Sequence, residues 1–198
     1  MANPFRSARL IYRAAEPTSE EDQACFLTIQ TDAQAYQNAN AAISTPQGKA
    51  SAQQYLKEIA EESLLGVVIC LPAPDSTSKP IPIGAIHLDQ LKPALAHHRH
   101  ADIGIDIVKA YQGQGYGSEA IRWALRWAFR IAGLHRVGIR AFAYNEGAVR
   151  LYGRLGFNRE GVSREFLWFD GQWWDDVQFG MLAREWTAMQ EEQVDVKQ

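Results

Sequence analysis

Cysteine is scarce: there are two in 198 residues, Cys25 in "ACFL" and Cys70 in "VVICL". Neither has metal-ligand spacing, which excludes a disulfide framework and a zinc site, and both thiols read as small, reduced core residues. An excess of either charge is missing too, with 20 basic against 23 acidic residues and a formal net charge of -3. That balance is not the footprint of a chain that grips phosphate backbones, so no nucleic-acid partner is expected. No apolar run approaches the ~18 residues that span a bilayer, and "MANPFRSARL" lacks an apolar signal core. The expectation is a soluble cytoplasmic protein with no membrane partner. Internal repeats are absent as well.

What is present is an ordinary globular composition, 46% hydrophobic and 22% charged, enough for one core. A single domain over 1–198 is expected, its core about 8–186, with 187–198 as a charged tail that frays over "EEQVDVKQ". "ARLIYRAAE" alternates like a strand, and Thr18 or Ser19 would cap a helix running to about Asp32. Residues 33–54 suggest a loose helix broken near "STPQG", and Ser51 would then cap "SAQQYLKEIAEE". "SLLGVVICL", "IGAIHL", "ADIGIDIV" and "RVGIRAFAY" read as strands. Two more strands, "FNREGVSREFLWF" and "QWWDDVQFGMLA", flank Asp170-Gly171, a hairpin signal. Helices are expected after the glycines near 115 and over "EGAVRLYGRL", the latter capped by Asn145 and closed by Gly156. The result is an α+β domain: a central mixed, mostly antiparallel sheet of about seven strands flanked by about four α-helices.

The stretch "DIVKAYQGQGYGSEA" places three glycines between a strand and a helix. Backbone N–H groups at a helix N-terminus converge on a positive pole, and glycine lets an anion approach them. No Lys-Ser/Thr follows, as a P-loop requires, and G-x-G-x-G is not the dinucleotide spacing, which disfavours both of those cradles. Taken alone, the glycines also fit a tight strand-to-helix packing turn. Further on, Asn145, Ala148, Val149 and Tyr152 fall at i, i+3, i+4 and i+7, one helical face. By themselves Asn145 reads as a cap and Tyr152 as a core residue.

Together, "QGQGYG" and "NEGAVRLYGRLGF" resemble the two signature motifs of the GNAT superfamily of acetyl-CoA-dependent N-acetyltransferases. The first matches Q/R-x-x-G-x-G/A at Gln112, Gly115 and Gly117, and the run "LYGRLGFNREGVSREFLWFDGQWWDDVQFGMLAREW" is most similar to the RimJ/RimL-type branch. The resemblance implies a GNAT-like sheet splayed in the middle and acetyl-CoA as cosubstrate, with no metal. It implies that backbone amides of Gly113, Gln114, Gly115, Tyr116, Gly117 and Ser118 hold the CoA pyrophosphate. Ile107 and Val108 would pair with the pantetheine through their backbone, Asn145 would hydrogen-bond that arm, and Ala148 would leave room for it. Tyr152 matches the family's general acid for the departing thiolate.

Acetyl transfer to an amine needs a free lone pair, and a Lys-like amine with a pKa of about 10.4 pays ~4–5 kcal/mol for it at pH 7, whereas an α-amine near 8 needs half of that or less. A proton acceptor is therefore required. A Glu eleven residues before the motif Gln serves in some relatives; here that position is Ala101, with Asp102 beside it on the opposite strand face. A bulge would rescue Asp102, and Asp175 or Asp176 could reach in from the last strand, but Asp106 lies closest to the expected thioester and is the first choice. The "HHRH" group, His97, His98 and His100, reads as a solvated loop, and Arg122, Arg126 and Arg130 as a solvated helix face. Phe166, Trp168, Phe169, Trp173 and Trp174 would form a hairpin core, an acceptor pocket or a homodimer contact. The expected function is direct acetyl transfer to a small primary amine or a peptide N-terminus in a ternary complex. A non-catalytic acetyl-CoA sensor or interaction module is the alternative.

Overall fold

The computed structural model describes residues 3–75 and 77–195. The chain runs β1 (Ile11–Ala14), α1 (Glu20–Thr31), α2 (Ala33–Ala39), α3 (Lys49–Glu61), β2 (Ser63–Leu71), β3 (Ile81–Asp89), β4 (His100–Ile107), α4 (Tyr116–Arg130), β5 (Arg136–Phe142), α5 (Glu146–Arg154), β6 (Asn158–Phe169), β7 (Gln172–Leu182) and α6 (Ala183–Asp195). Short 3-10 helices at Pro93–His98 and Lys109–Tyr111 flank β4. The seven strands follow the order β1-β2-β3-β4-β5-β7-β6. Among the described residues only the β4–β5 ladder is parallel, and it consists of His100↔Arg136, Ala101↔Val137 and Asp102↔Gly138. From Ile103 onward β4 is registered with β3. The expected mixed, mostly antiparallel sheet is thus what forms, with six α-helices among the described residues rather than four.

Two compact units divide the chain, one reaching Gln90 and taking in Ile103–Ala124, the other made of Leu91–Asp102 and the chain from Leu125 on. In the first, Ser19 caps α1 by accepting from the Asp22 N–H at 3.3 Å. Cys25, Phe26 and Ile29 of α1 and Ala52, Leu56 and Ile59 of α3 then close over Val68, Cys70 and Ala85 of the sheet. Removing this apolar surface from water is the main driving force for the unit. Helix α3 begins at Lys49 with Gly48 as its N-cap, where Ser51 was expected to be the cap. Ser51 instead reaches back from the first turn, its Oγ accepting from the Gly48 N–H at 3.2 Å.

In the second unit Asn145 does cap α5, its Oδ1 accepting from the Ala148 N–H at 3.2 Å. Asp170 (φ 49°) and Gly171 (φ 77°) form the two-residue turn between β6 and β7, and positive φ at both positions is what a type I′ hairpin demands. Helix α6 continues to Asp195, into the stretch "EEQVDVKQ" that was expected to fray. Trp186 supplies the reason: it is buried, its ring lies 5.7 Å from Phe129, and Arg130 stacks over it at 5.3 Å. Residues 196–198 of that tail lie outside the described residues.

Candidate active site

In the first unit, the glycine loop is built by backbone conformation. Gly113 (φ 72°) and Gly115 (φ 82°) both occupy the left-handed region, which costs an L side chain about 1–2 kcal/mol. The first intrahelical bond of α4 runs from the Glu119 N–H to the Gly115 carbonyl at 3.1 Å, so the amides of Tyr116, Gly117 and Ser118 belong to the turn whose donors have no helical acceptor. A Cβ on Gly113 would meet nothing within 4 Å. The loop is an open cradle of N–H groups at a helix N-terminus, suited to an anion.

Side chains tie this cradle down. Gln112 donates through Nε2 to the Ile107 carbonyl at 2.8 Å, and Gln114 to the Ala110 carbonyl at 3.0 Å. Arg9, which no sequence motif marks, donates to the Gln114 carbonyl at 3.0 Å and to Glu119 at 2.7 Å, with its guanidinium 4.6 Å from the Tyr116 ring centre. Burial would raise the Glu119 pKa, but hydrogen bonds from Ser7 and Arg9 outweigh it and hold the carboxyl below its usual range.

At the strand end the two backbone expectations separate. Val108 donates its N–H to the Ile83 carbonyl at 2.9 Å, and its own carbonyl accepts from the Tyr111 N–H at 2.8 Å. The Val108 N–H is therefore committed to the sheet, while its carbonyl, already bonded to Tyr111, keeps a second lone pair. Alternation along the strand turns the Ile107 backbone to the other edge, as its bond from Gln112 shows. Of the two, Ile107 keeps an edge-facing N–H.

Asp106 accepts a 2.6 Å hydrogen bond from the Tyr55 hydroxyl of α3. Burial raises its pKa, while the Tyr55 hydrogen bond and the nearby His87 pull in the opposite direction. Burial, and then the Asp106 charge, push the Tyr55 hydroxyl well above its ordinary value. Neither Tyr55 nor His87 was legible as a site residue, because their sequence contexts are those of a helix and a strand interior.

In the second unit Tyr152 is buried, its ring meeting Phe179 edge-on at 5.8 Å and Phe157 at 6.2 Å. Asn145 spends its Oδ1 on the α5 cap, and Ala148 supplies the capped N–H. The other carboxylates considered as bases have local duties. Asp175 accepts from the Glu165 N–H at 2.9 Å, holding a β6 bulge in which Glu165 takes φ 49°. Asp176 is 1% exposed and accepts from Arg140 at 3.1 Å. Asp102 lines a polar cavity of about 270 Å³ with Arg136, Arg140, Glu160 and Gln178, over Gly138. Of the aromatic group, Phe166, Trp168 and Trp173 are exposed, whereas Phe169 and Trp174 gather around Tyr144.

The sheet order is that of an α+β protein, with the glycine loop between its central strand and a helix. Residues 9–158 match the model of the acetyltransferase (GNAT) domain, and the chain belongs to the GNAT acetyltransferase family. It is 34% identical over 85 residues to the ribosomal protein uS5-alanine N-acetyltransferase of Escherichia coli, covering 43% of this chain and 44% of that protein. An uncharacterized N-acetyltransferase of Bacillus subtilis, YoaA, is 36% identical over 78 residues, 39% of this chain and 44% of that one. The chain thus spans less than half the length of these curated relatives. Among solved structures, a GNAT-family acetyltransferase from Bacillus anthracis superimposes with a TM-score of 0.73 at 19% identity, over 91% of this chain and 98% of that one. A spermidine N-acetyltransferase from Vibrio cholerae, in complex with CoA and spermine, gives 0.71 at 22% identity, over 91% and 99%. These structural likenesses establish the shared fold.

Proposed function

We propose that the chain transfers the acetyl group of acetyl-CoA to a primary amine, either a small amine or a peptide N-terminus, in a ternary complex, with 8–186 acting as one catalytic domain. The observation that carries this reading is the open amide cradle at Gly113 and Gly115, set directly after the edge-facing N–H of Ile107. The cradle fits the CoA pyrophosphate, and Gln112, Gln114 and Arg9 hold it in shape. Acetyl-CoA supplies the activated thioester. The Ile107 N–H polarises its carbonyl oxygen, Asp106 accepts a hydrogen bond from the acceptor nitrogen, and Tyr152 donates to the departing sulfur. A relative named for an alanine of ribosomal protein uS5 and a structural neighbour named for spermidine support an amine acceptor. The free, buried Cys25 and Cys70 support a reducing, cytoplasmic setting, and the exposed Trp168 and Trp173 offer a surface for a homodimer.

Calorimetric titration with acetyl-CoA tests the cradle, and release of CoA thiol against a panel of amines and N-terminal peptides tests the transfer. Binding with amine-dependent release is the expected result. Binding without release from any acceptor would favour a sensor, and no binding would remove the reading altogether.

A further inference from the structure

His87 lies in β3 directly opposite Gly104 of β4. A Cβ on Gly104 would run into the His87 ring, so the glycine is what allows the imidazole to lie across β4. Its Nδ1 is buried and has no hydrogen-bond partner among the described residues. The other ring nitrogen, Nε2, faces Asp89 Oδ1 at 3.5 Å, which favours the tautomer with the proton on Nε2 and a lone pair on Nδ1. A buried lone pair without a donor is costly, and it asks for a hydrogen-bearing ligand.

Asp106 is registered opposite Ala85, two positions from His87 along the same sheet face. Diagonal neighbours of this kind are ~7–8 Å apart and within reach of each other's side chains. Tyr55 closes the arrangement from α3, donating to Asp106 Oδ2 at 2.6 Å and standing edge-on to the His87 ring at 6.4 Å.

We propose that His87 Nδ1 and Asp106 form a two-point receptor for the acceptor's nitrogen, with His87 the group that takes its proton and Tyr55 the positioning residue for the carboxylate. This rests on the acetyltransferase reading above and names the part of that site which receives the amine. An ammonium donates one N–H to Nδ1 and another to Asp106. Transfer of the first to Nδ1 leaves a neutral amine whose lone pair forms the bond to the carbonyl carbon. The carbon–sulfur bond breaks, a second nitrogen proton ends on the CoA thiolate, and His87 returns its own proton to solvent. The titratable and charged groups around the pair are Tyr55 and Glu58 from α3, Cys25 from α1 and Asp89 from β3.

The test uses the full chain, with spermidine and a peptide bearing an N-terminal alanine as acceptors. His87→Gln should lower kcat/KM about 100-fold at neutral pH, the scale of general base catalysis, and abolish the ascending limb of the pH profile. Its affinity for acetyl-CoA, read by calorimetry, should be unchanged. Tyr55→Phe should keep that limb and raise KM for either amine more than it lowers kcat, because Asp106 loses the hydroxyl that holds its carboxylate in place. Independently of turnover, the Nδ1 nitrogen resonance of His87, assigned by its disappearance in His87→Gln, should move when either amine is added with CoA. An unaltered limb in His87→Gln, or a resonance that neither amine moves, overturns the proposal. If the wild-type chain releases no thiol with either amine, the transferase reading fails for those acceptors, and the resonance decides the receptor alone.

Discussion

Asp106 illustrates how burying one carboxyl can weaken a fold. Its pKa is raised first of all by burial, so the folded chain holds that proton more tightly than the unfolded chain does. For a carboxyl of this kind the stability is intact below the unfolded value, near 3.9, and is eroded as pH climbs through the raised folded value. Asp106→Asn keeps an oxygen for the Tyr55 hydroxyl and removes the charge. Its melting temperature at pH 7 should exceed that of the wild type, the difference should vanish in acid, and amine-dependent thiol release should collapse. Tyr152 makes the opposite case: Tyr152→Phe keeps the ring against Phe179 and Phe157. It should lower kcat about tenfold or more through lost hydrogen bonding to sulfur, with acetyl-CoA affinity preserved in calorimetry.

At the scale of elements, the loop between β4 and α4 is held from outside by Arg9. Arg9→Ala removes the bond to the Gln114 carbonyl and the pair with Glu119. With the guanidinium half exposed, the pair contributes about 1 kcal/mol at most, so acetyl-CoA should bind up to about fivefold more weakly with kcat little changed. Gly115→Val forces a β-branched residue into φ 82° and should weaken binding about tenfold, following the ~1–2 kcal/mol of left-handed strain. Both are read by the same titration. The loop itself was legible in the sequence, because glycines at that spacing have few other uses, and so was the β6–β7 hairpin, because Asp-Gly suits two positive φ values. Arg9, Tyr55 and His87 were not, since their partners Glu119, Asp106 and Gly104 are distant in sequence and nothing local announces the contact. Helix α6 was missed because its charged residues mask a single anchoring Trp186. Truncating that anchor, Trp186→Ala, should cost about 3 kcal/mol in denaturant unfolding.

Across the whole molecule, the two thiols are both buried and both resist ionisation. Burial first, then the charges near it, push Cys25 up to about 12, and burial pushes Cys70 up to about 11. Since the thiolate is the reactive form, the native chain is chemically silent toward a disulfide reagent at pH 8, and the colour in a CoA-release assay comes from CoA alone. The same silence makes the pair a clock. Each cysteine becomes reactive when α1 or β2 leaves the core they share, so the slow appearance of label in an excess of reagent counts openings of that core, molecule by molecule, without denaturant.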